Sequence, residues 1–132
     1  MEFVASLSDL HTILLWILSE SKSKGLQERD LQRVEKSSEE ALVNIIKHAY
    51  QGRPEKVEID IKLVSKGRLE ISFKDQGPPF NPLKVKSPDT SLPLEKREVG
   101  GLGIFLIRKL VDDLQYVRIH NQNLFTFVIH FS

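Results

Sequence analysis

Two stretches of this chain, Val57-Glu58-Ile59-Asp60-Ile61-Lys62-Leu63 and Leu69-Glu70-Ile71-Ser72-Phe73-Lys74, alternate apolar and polar residues with a period of two, and a turn at Ser65-Lys66-Gly67-Arg68 lies between them. This is a β-hairpin with one apolar face, and such a face needs a cover. Helical spacing supplies one three times over. Leu10, Ile13, Leu14, Ile17 and Leu18 follow a cap at Ser8 or Asp9 and precede Gly25. Leu31, Val34, Ala41, Leu42, Ile45, Ile46 and Ala49 form one stripe of a helix expected from about Gln27 to Gln51, with Gly52-Arg53-Pro54 as its breaker. Ile104, Leu106, Ile107, Leu110, Val111 and Leu114 mark a third helix. Met1 to Ser6 reads as a short edge strand, and Gln115–Ile119 with Phe125–Phe131 as a closing hairpin. The expectation is an α+β two-layer sandwich, a mainly antiparallel mixed sheet covered on one face by about three helices.

At 132 residues the chain is read as a single domain, 1–132, long enough for a real core. Nineteen Lys and Arg against 18 Asp and Glu give a net charge of +1, so no strong field steers it to nucleic acid or to a membrane. Specificity must come from a local site. Cysteine is absent, which excludes disulfides, thiol catalysis and Cys-based zinc sites and fits a cytoplasmic protein. The longest apolar run, Ile13 to Leu18, is too short to span a membrane, and the N-terminus lacks the pattern of a signal peptide.

Three segments interrupt the pattern. Glu40 and Asn44, four apart, share a helical face with Ser37, Lys47 and His48 along the edge of the apolar stripe. Alone they describe a solvated helix margin. Asp75-Gln76-Gly77-Pro78-Pro79-Phe80 ends a strand and on its own reads as a turn. Gly100-Gly101-Leu102-Gly103 opens the third helix, where consecutive glycines weaken the helix unless backbone must approach something closely; bare amides there favour an anion such as phosphate. From Gly77 to Gly101 the pattern lapses, and five of the six prolines, Pro78 to Pro93, fall in this stretch, which is too long for an ordinary connection and is expected to be a lid at about residues 78–100. His11, His48, His120 and His130 show no metal-ligand spacing, and His48 reads as part of the helix edge.

Taken in order, Glu40-Ala41-Leu42-Val43-Asn44 running into Lys47-His48-Ala49-Tyr50, then Asp75-Gln76-Gly77-Pro78-Pro79-Phe80, then Gly100-Gly101-Leu102-Gly103, the chain resembles the Bergerat (GHKL) ATP-binding fold. Within it the likeness is greatest to the RsbW-like anti-sigma-factor serine kinases of bacteria, over essentially the whole chain. Pro79 stands where the broader superfamily has a second glycine, a form familiar in that branch.

The resemblance implies ATP and Mg²⁺ as cofactors, with Asn44 holding the metal and Glu40 the general base. An amide oxygen suits Mg²⁺, and a carboxylate one turn away suits the proton of an attacking hydroxyl. It also implies Asp75 as acceptor for the adenine amino group, Gly77 as backbone packing against the base, and Gly101 and Gly103 as the phosphate-approaching glycines, with Gly100 at the lid hinge. Lys47 and Arg97 would meet phosphate charge, each against the alternative of an ordinary exposed cation. Thr126 would support the adenine site, although Asn123-Leu124-Phe125 replaces the glycine usual just before it.

The implied activity is an anti-sigma factor and serine/threonine protein kinase, sequestering a sigma factor and phosphorylating a small anti-sigma-factor antagonist. The implied assembly is a homodimer, for which Met1–Val4 and the Ile13–Leu18 face carry spare apolar surface. Two alternatives stand beside it: a non-catalytic nucleotide-binding regulatory module, and the catalytic fragment of a sensor histidine kinase. The latter needs a dimerising hairpin with a phosphoacceptor histidine; His11 lacks the charged neighbours of such a box.

Overall fold

A computed structural model describes residues 1–81, 83 and 101–132, with side chains for 1–81, 83 and 103–132. Strand β1 (Glu2–Ala5) leads to helix α1 (Leu10–Ser23) and helix α2 (Glu28–Asn44), which continues without a break into a π turn (Ile45–Ala49). The hairpin β2 (Glu55–Ser65) and β3 (Arg68–Asp75) follows, then helix α3 (Gly101–Leu110) and the hairpin β4 (Asp113–Ile119) and β5 (Gln122–His130). The five strands lie in the order β1-β2-β3-β5-β4, and every pairing among the described residues is antiparallel. The parallel component expected of a mixed sheet is therefore not found among them; β2–β3 and β4–β5 are hairpins, while β1–β2 and β3–β5 are antiparallel neighbours joined through intervening elements.

Period-two alternation puts Val57, Ile59 and Ile61 of β2, Leu69, Ile71 and Phe73 of β3, and Phe125, Phe127 and Ile129 of β5 on one buried face. The rings of Phe73, Phe125 and Phe127 meet with centroids 5.2 to 5.8 Å apart. Emptying the fully buried Phe73 position to alanine costs about 3–5 kcal/mol in cores of this kind. Over the face lie Ile13 and Ile17 of α1, Val34, Ala41 and Leu42 of α2, and Ile104 and Ile107 of α3.

Helix α2 is the middle helix, with α1 and α3 on either side of it. It therefore buries more of its circumference than one stripe. Ser37 and Ser38 are fully buried, and Ser37 Oγ donates to the Arg33 carbonyl at 2.7 Å, so Ser37 is not part of a polar margin.

Two boundaries differ from expectation. Helix α3 stops at Leu110, and Leu114 is a buried residue of β4. Arg33 of α2 is responsible: its Nε donates to the Leu110 carbonyl at 2.8 Å and its Nη2 to Asp112 Oδ2 at 2.9 Å. Asp112 Oδ2 also accepts the His130 N–H, and the Asp112 N–H returns to the Val128 carbonyl at 2.9 Å, which starts the β4–β5 ladder. The second departure is the π turn. After Asn44 the amides reach five residues back, as when the Tyr50 N–H meets the Ile45 carbonyl at 2.9 Å, and the turn closes at Ala49. π turns occur mostly as single-turn bulges within α-helices and are frequent at functional sites.

Candidate active site

Where the π turn, the end of β3, the start of β5 and the first turn of α3 meet, they enclose an open cavity with about 570 Å³ of free space. Its wall includes Asn44, His48, Asp75, Pro79, Ile104 and Asn123. The elements position these side chains for simple reasons. Asp75, last residue of β3, is inward-facing because Phe73 is, and is paired in register with Val57 on one side and Asn123 on the other. Tyr50 ends the π turn by donating its hydroxyl to the Lys56 carbonyl at 2.6 Å and accepting the Gln76 N–H at 2.7 Å, which fixes the backbone just after Asp75.

Asp75 is 3% exposed. Its Oδ1 accepts the Gly77 N–H at 2.9 Å and the Asn123 Nδ2–H at 3.0 Å. Burial pushes its pKa above the usual carboxylate range, against the opposing pull of the Asn123 and Gly77 hydrogen bonds and of Arg118. Among the described residues Oδ2 accepts no hydrogen bond, so one lone-pair edge is left for a donor in the cavity. Gly77 is required by contact: a Cβ there would lie 2.7 Å from Ala49 Cβ and 3.0 Å from Asp75 Oδ1.

Gly103 in the first turn of α3 sits over the polar pair of α2. A Cβ on Gly103 would stand 3.2 Å from both Asn44 Nδ2 and Glu40 Oε2. Glycine thus lets the opening of α3 approach the carboxylate and amide. Asn44 is 9% exposed and its Nδ2 is buried without a hydrogen-bond partner, while Glu40 Oε1 faces Lys36 Nζ at 3.5 Å. A buried polar amide left unpaired costs stability unless something else satisfies it, and this one lines a cavity. The donor set, one amide and one carboxylate beside a helix start, fits a hard cation such as Mg²⁺ shared with phosphate oxygens.

The structure thus brings Glu40, Asn44 and Gly103 together, sets Gly77 against Asp75, puts Asn44 and Asp75 on the wall of one cavity, and opens α3 at Gly101. Lys47 is exposed and does not line the cavity. His48, read from sequence as helix edge, does line it, with its pKa lowered by desolvation and by Lys47. Thr126 is a correction: it pairs with Ser72 and Gln115, and lies on the sheet face opposite the helices because its neighbours Phe125 and Phe127 point into the core. Pro78–Phe80 of the expected lid line the cavity; Arg97 and Gly100, with residue 82 and residues 84–99 of the lid, fall outside the described residues.

Sequence reasoning missed Asn123. The two-residue turn His120–Asn121, both at positive φ, pairs Ile119 with Gln122 and so sets the register of β5. Counting back by twos from Phe125 places Asn123 on the inner face, a signal the sequence already held.

The profile of the histidine kinase-like ATPase domain matches residues 3–129. The serine-protein kinase RsbW of Bacillus mycoides is 31% identical over 119 residues, covering 87% of this chain and 74% of that protein. That of Oceanobacillus iheyensis is 33% identical over 103 residues, covering 74% and 63%. Among solved structures, the Acinetobacter baumannii histidine kinase AdeS superposes with a TM-score of 0.58 at 14% identity, covering all of this chain and 68% of that one, a likeness of fold.

Proposed function

Since this chain belongs to the histidine kinase-like ATPase family and is similar along most of its length to serine-protein kinases, we propose that it is an ATP-dependent serine/threonine protein kinase that also acts as an anti-sigma factor. The observation that carries the reading is one cavity lined by both a buried acceptor, Asp75, and the amide of Asn44, against which Glu40 and Gly103 of α3 stand.

In this reading the adenine amino group donates to Asp75 Oδ2 and the base lies against the backbone at Gly77 and the side chains of Ile104 and Phe125. An acceptor at that point favours adenine over guanine, whose corresponding edge carries an oxygen. The triphosphate extends toward the amides of the first turn of α3, whose dipole favours negative charge. Asn44 and phosphate oxygens would hold Mg²⁺, which supplies charge neutralisation at the phosphates. Glu40 takes the proton from a substrate serine or threonine hydroxyl as that oxygen attacks the γ-phosphorus; the bond to the β–γ bridging oxygen breaks and ADP leaves. Catalysis is chiefly positioning and electrostatics.

The resemblance to the RsbW-like anti-sigma-factor kinases extends the reading to partners: a sigma factor bound, and a small antagonist as the phosphoryl acceptor. A homodimer through β1 and α1 is part of the same proposal, since Met1, Val4, Leu7 and Leu15 leave apolar surface in water there. The test is transfer of γ-labelled phosphate to the cognate antagonist. Glu40→Ala should lower the transfer rate by about 10²–10⁴-fold with ATP affinity nearly kept, the range for loss of a general base. Asn44→Ala should weaken both. Unchanged transfer in Glu40→Ala overturns the mechanism, and ATP binding without transfer by the wild type makes the chain a nucleotide-responsive binding module.

A further inference from the structure

Across one end of the sheet, Val57, Asp75, Asn123 and Arg118 stand side by side in register on the inner face of β2, β3, β5 and β4. Asn123 is 3% exposed and every part of its amide is used. Nδ2 donates to Asp75 Oδ1 at 3.0 Å and to the Pro78 carbonyl at 2.8 Å, with the Gly77 carbonyl at 3.5 Å. Oδ1 accepts the Tyr116 hydroxyl at 2.6 Å and the Phe80 N–H at 3.3 Å. Only one orientation satisfies this set. A flipped amide would turn its oxygen on a carboxylate and a carbonyl, and its NH₂ on the Phe80 N–H.

Arg118 adds a second tie from the same strand, its Nη1 donating to the Gly77 carbonyl at 2.8 Å. Neither Tyr116 nor Arg118 lines the cavity. Both act on groups that do. The amide of Asn123 joins the base-binding carboxylate to the Pro78–Phe80 wall, so the distance between floor and wall is set by one side chain held from an edge strand.

We propose that Asn123, locked by Tyr116 and flanked by Arg118, is the positioning residue that sets adenine selectivity: it fixes the Asp75 carboxylate so that Oδ2 faces the amino group of the base. The inference rests on the ATP reading above. With Asn123 removed, Asp75 Oδ1 keeps only the Gly77 N–H of its two hydrogen bonds, and the acceptor edge that distinguishes adenine from guanine is held less firmly in place. A buried hydrogen bond to a charged group carries enough free energy for about a tenfold change in affinity.

The test is calorimetric or fluorescence titration of the full chain with ATP and with GTP, for wild type, Asn123→Leu and Tyr116→Phe. Asn123→Leu is expected to lose ATP affinity by about tenfold or more while GTP changes less, so the ratio of the two dissociation constants contracts. Tyr116→Phe, which removes one hydroxyl and keeps the ring, should contract the ratio in the same direction by less, and remains a test if Asn123→Leu does not fold. A purely structural role would weaken both nucleotides in parallel. An unaltered ratio in Tyr116→Phe and in folded Asn123→Leu, with wild type preferring ATP, overturns this inference alone. A wild type that binds no adenine nucleotide overturns the ATP reading and this inference together.

Discussion

Asp112 and Asp75 each use a single carboxylate oxygen to accept one backbone and one side-chain hydrogen bond, at the two ends of the same sheet. Asp112 Oδ2 takes the His130 N–H and Arg33 Nη2; Asp75 Oδ1 takes the Gly77 N–H and Asn123 Nδ2. For Asp112, burial works to raise the pKa, but the His130 hydrogen bond and the Arg33 cation outweigh it and the pKa falls. For Asp75, burial dominates and the pKa rises, because the side chain that holds it is a neutral amide. The difference is the mark of the two jobs. Asp112 spends its charge on a cation that locks α2 to the end of α3, whereas Asp75 keeps an unneutralised oxygen edge toward a cavity. Stability and recognition make opposite demands on the same functional group.

The strongest way to break that contrast is to neutralise each aspartate in turn. Asp75→Asn retains the oxygen that meets Gly77 and Asn123, and should leave the melting temperature level or slightly raised while weakening ATP by roughly 10–100-fold, the worth of a hydrogen bond to a charged group. Asp112→Asn should do the reverse, losing about 1 kcal/mol of stability with ATP affinity nearly kept. Equal effects of the two on binding would erase the distinction. Next in size is Arg33→Met, which removes the ties to Leu110, Asp30 and Asp112 from a partly exposed site. A loss on the order of 1–2 kcal/mol is expected by denaturant titration.

The smallest effect is one of pH. A raised folded pKa at Asp75 means that its contribution to stability is present below its unfolded pKa and lost as pH rises through the folded one, while ATP binding needs the carboxylate and is lost as pH falls through that same value. At Asp112 the lowered folded pKa gives stability that is present above its unfolded pKa and lost only as pH falls through the lower value. On acidification, ATP release should therefore precede unfolding, with an inflection above the ordinary carboxylate range that disappears in Asp75→Asn. Release and unfolding at one pH would contradict the contrast.

The readable part of this chain was local. Alternation in Val57–Leu63 and Leu69–Lys74 specified both strands and their inner faces, and the spacing of Glu40 and Asn44 put two polar groups on one side of α2, as the structure has them. What local pattern does not encode is dependence on partners far along the chain. The end of α3 is set by Arg33, whose hydrogen bonds reach from α2 to Leu110 and Asp112, so apolar spacing alone ran the helix on to Leu114. The resemblance points to Thr126 by its place on the last strand, whereas strand parity sends it to the outer face.

By itself, then, the sequence determined which residues are apolar at which period, and so the helices, the strands, and three clusters of glycine and polar side chains. Those depend on interactions within a few residues. Only the tertiary structure decided that Asp75 would be held by Asn123 and that Gly103 would press onto Glu40 and Asn44, contacts between segments 48 and about 60 residues apart. It also turned the last turn of α2 into a π turn, where Ala49 meets Gly77. The physical reason is that burial removes competing water: an aspartate, an amide or a glycine that is unremarkable in solution acquires its role when packing leaves it one neighbour, and a cavity, to face.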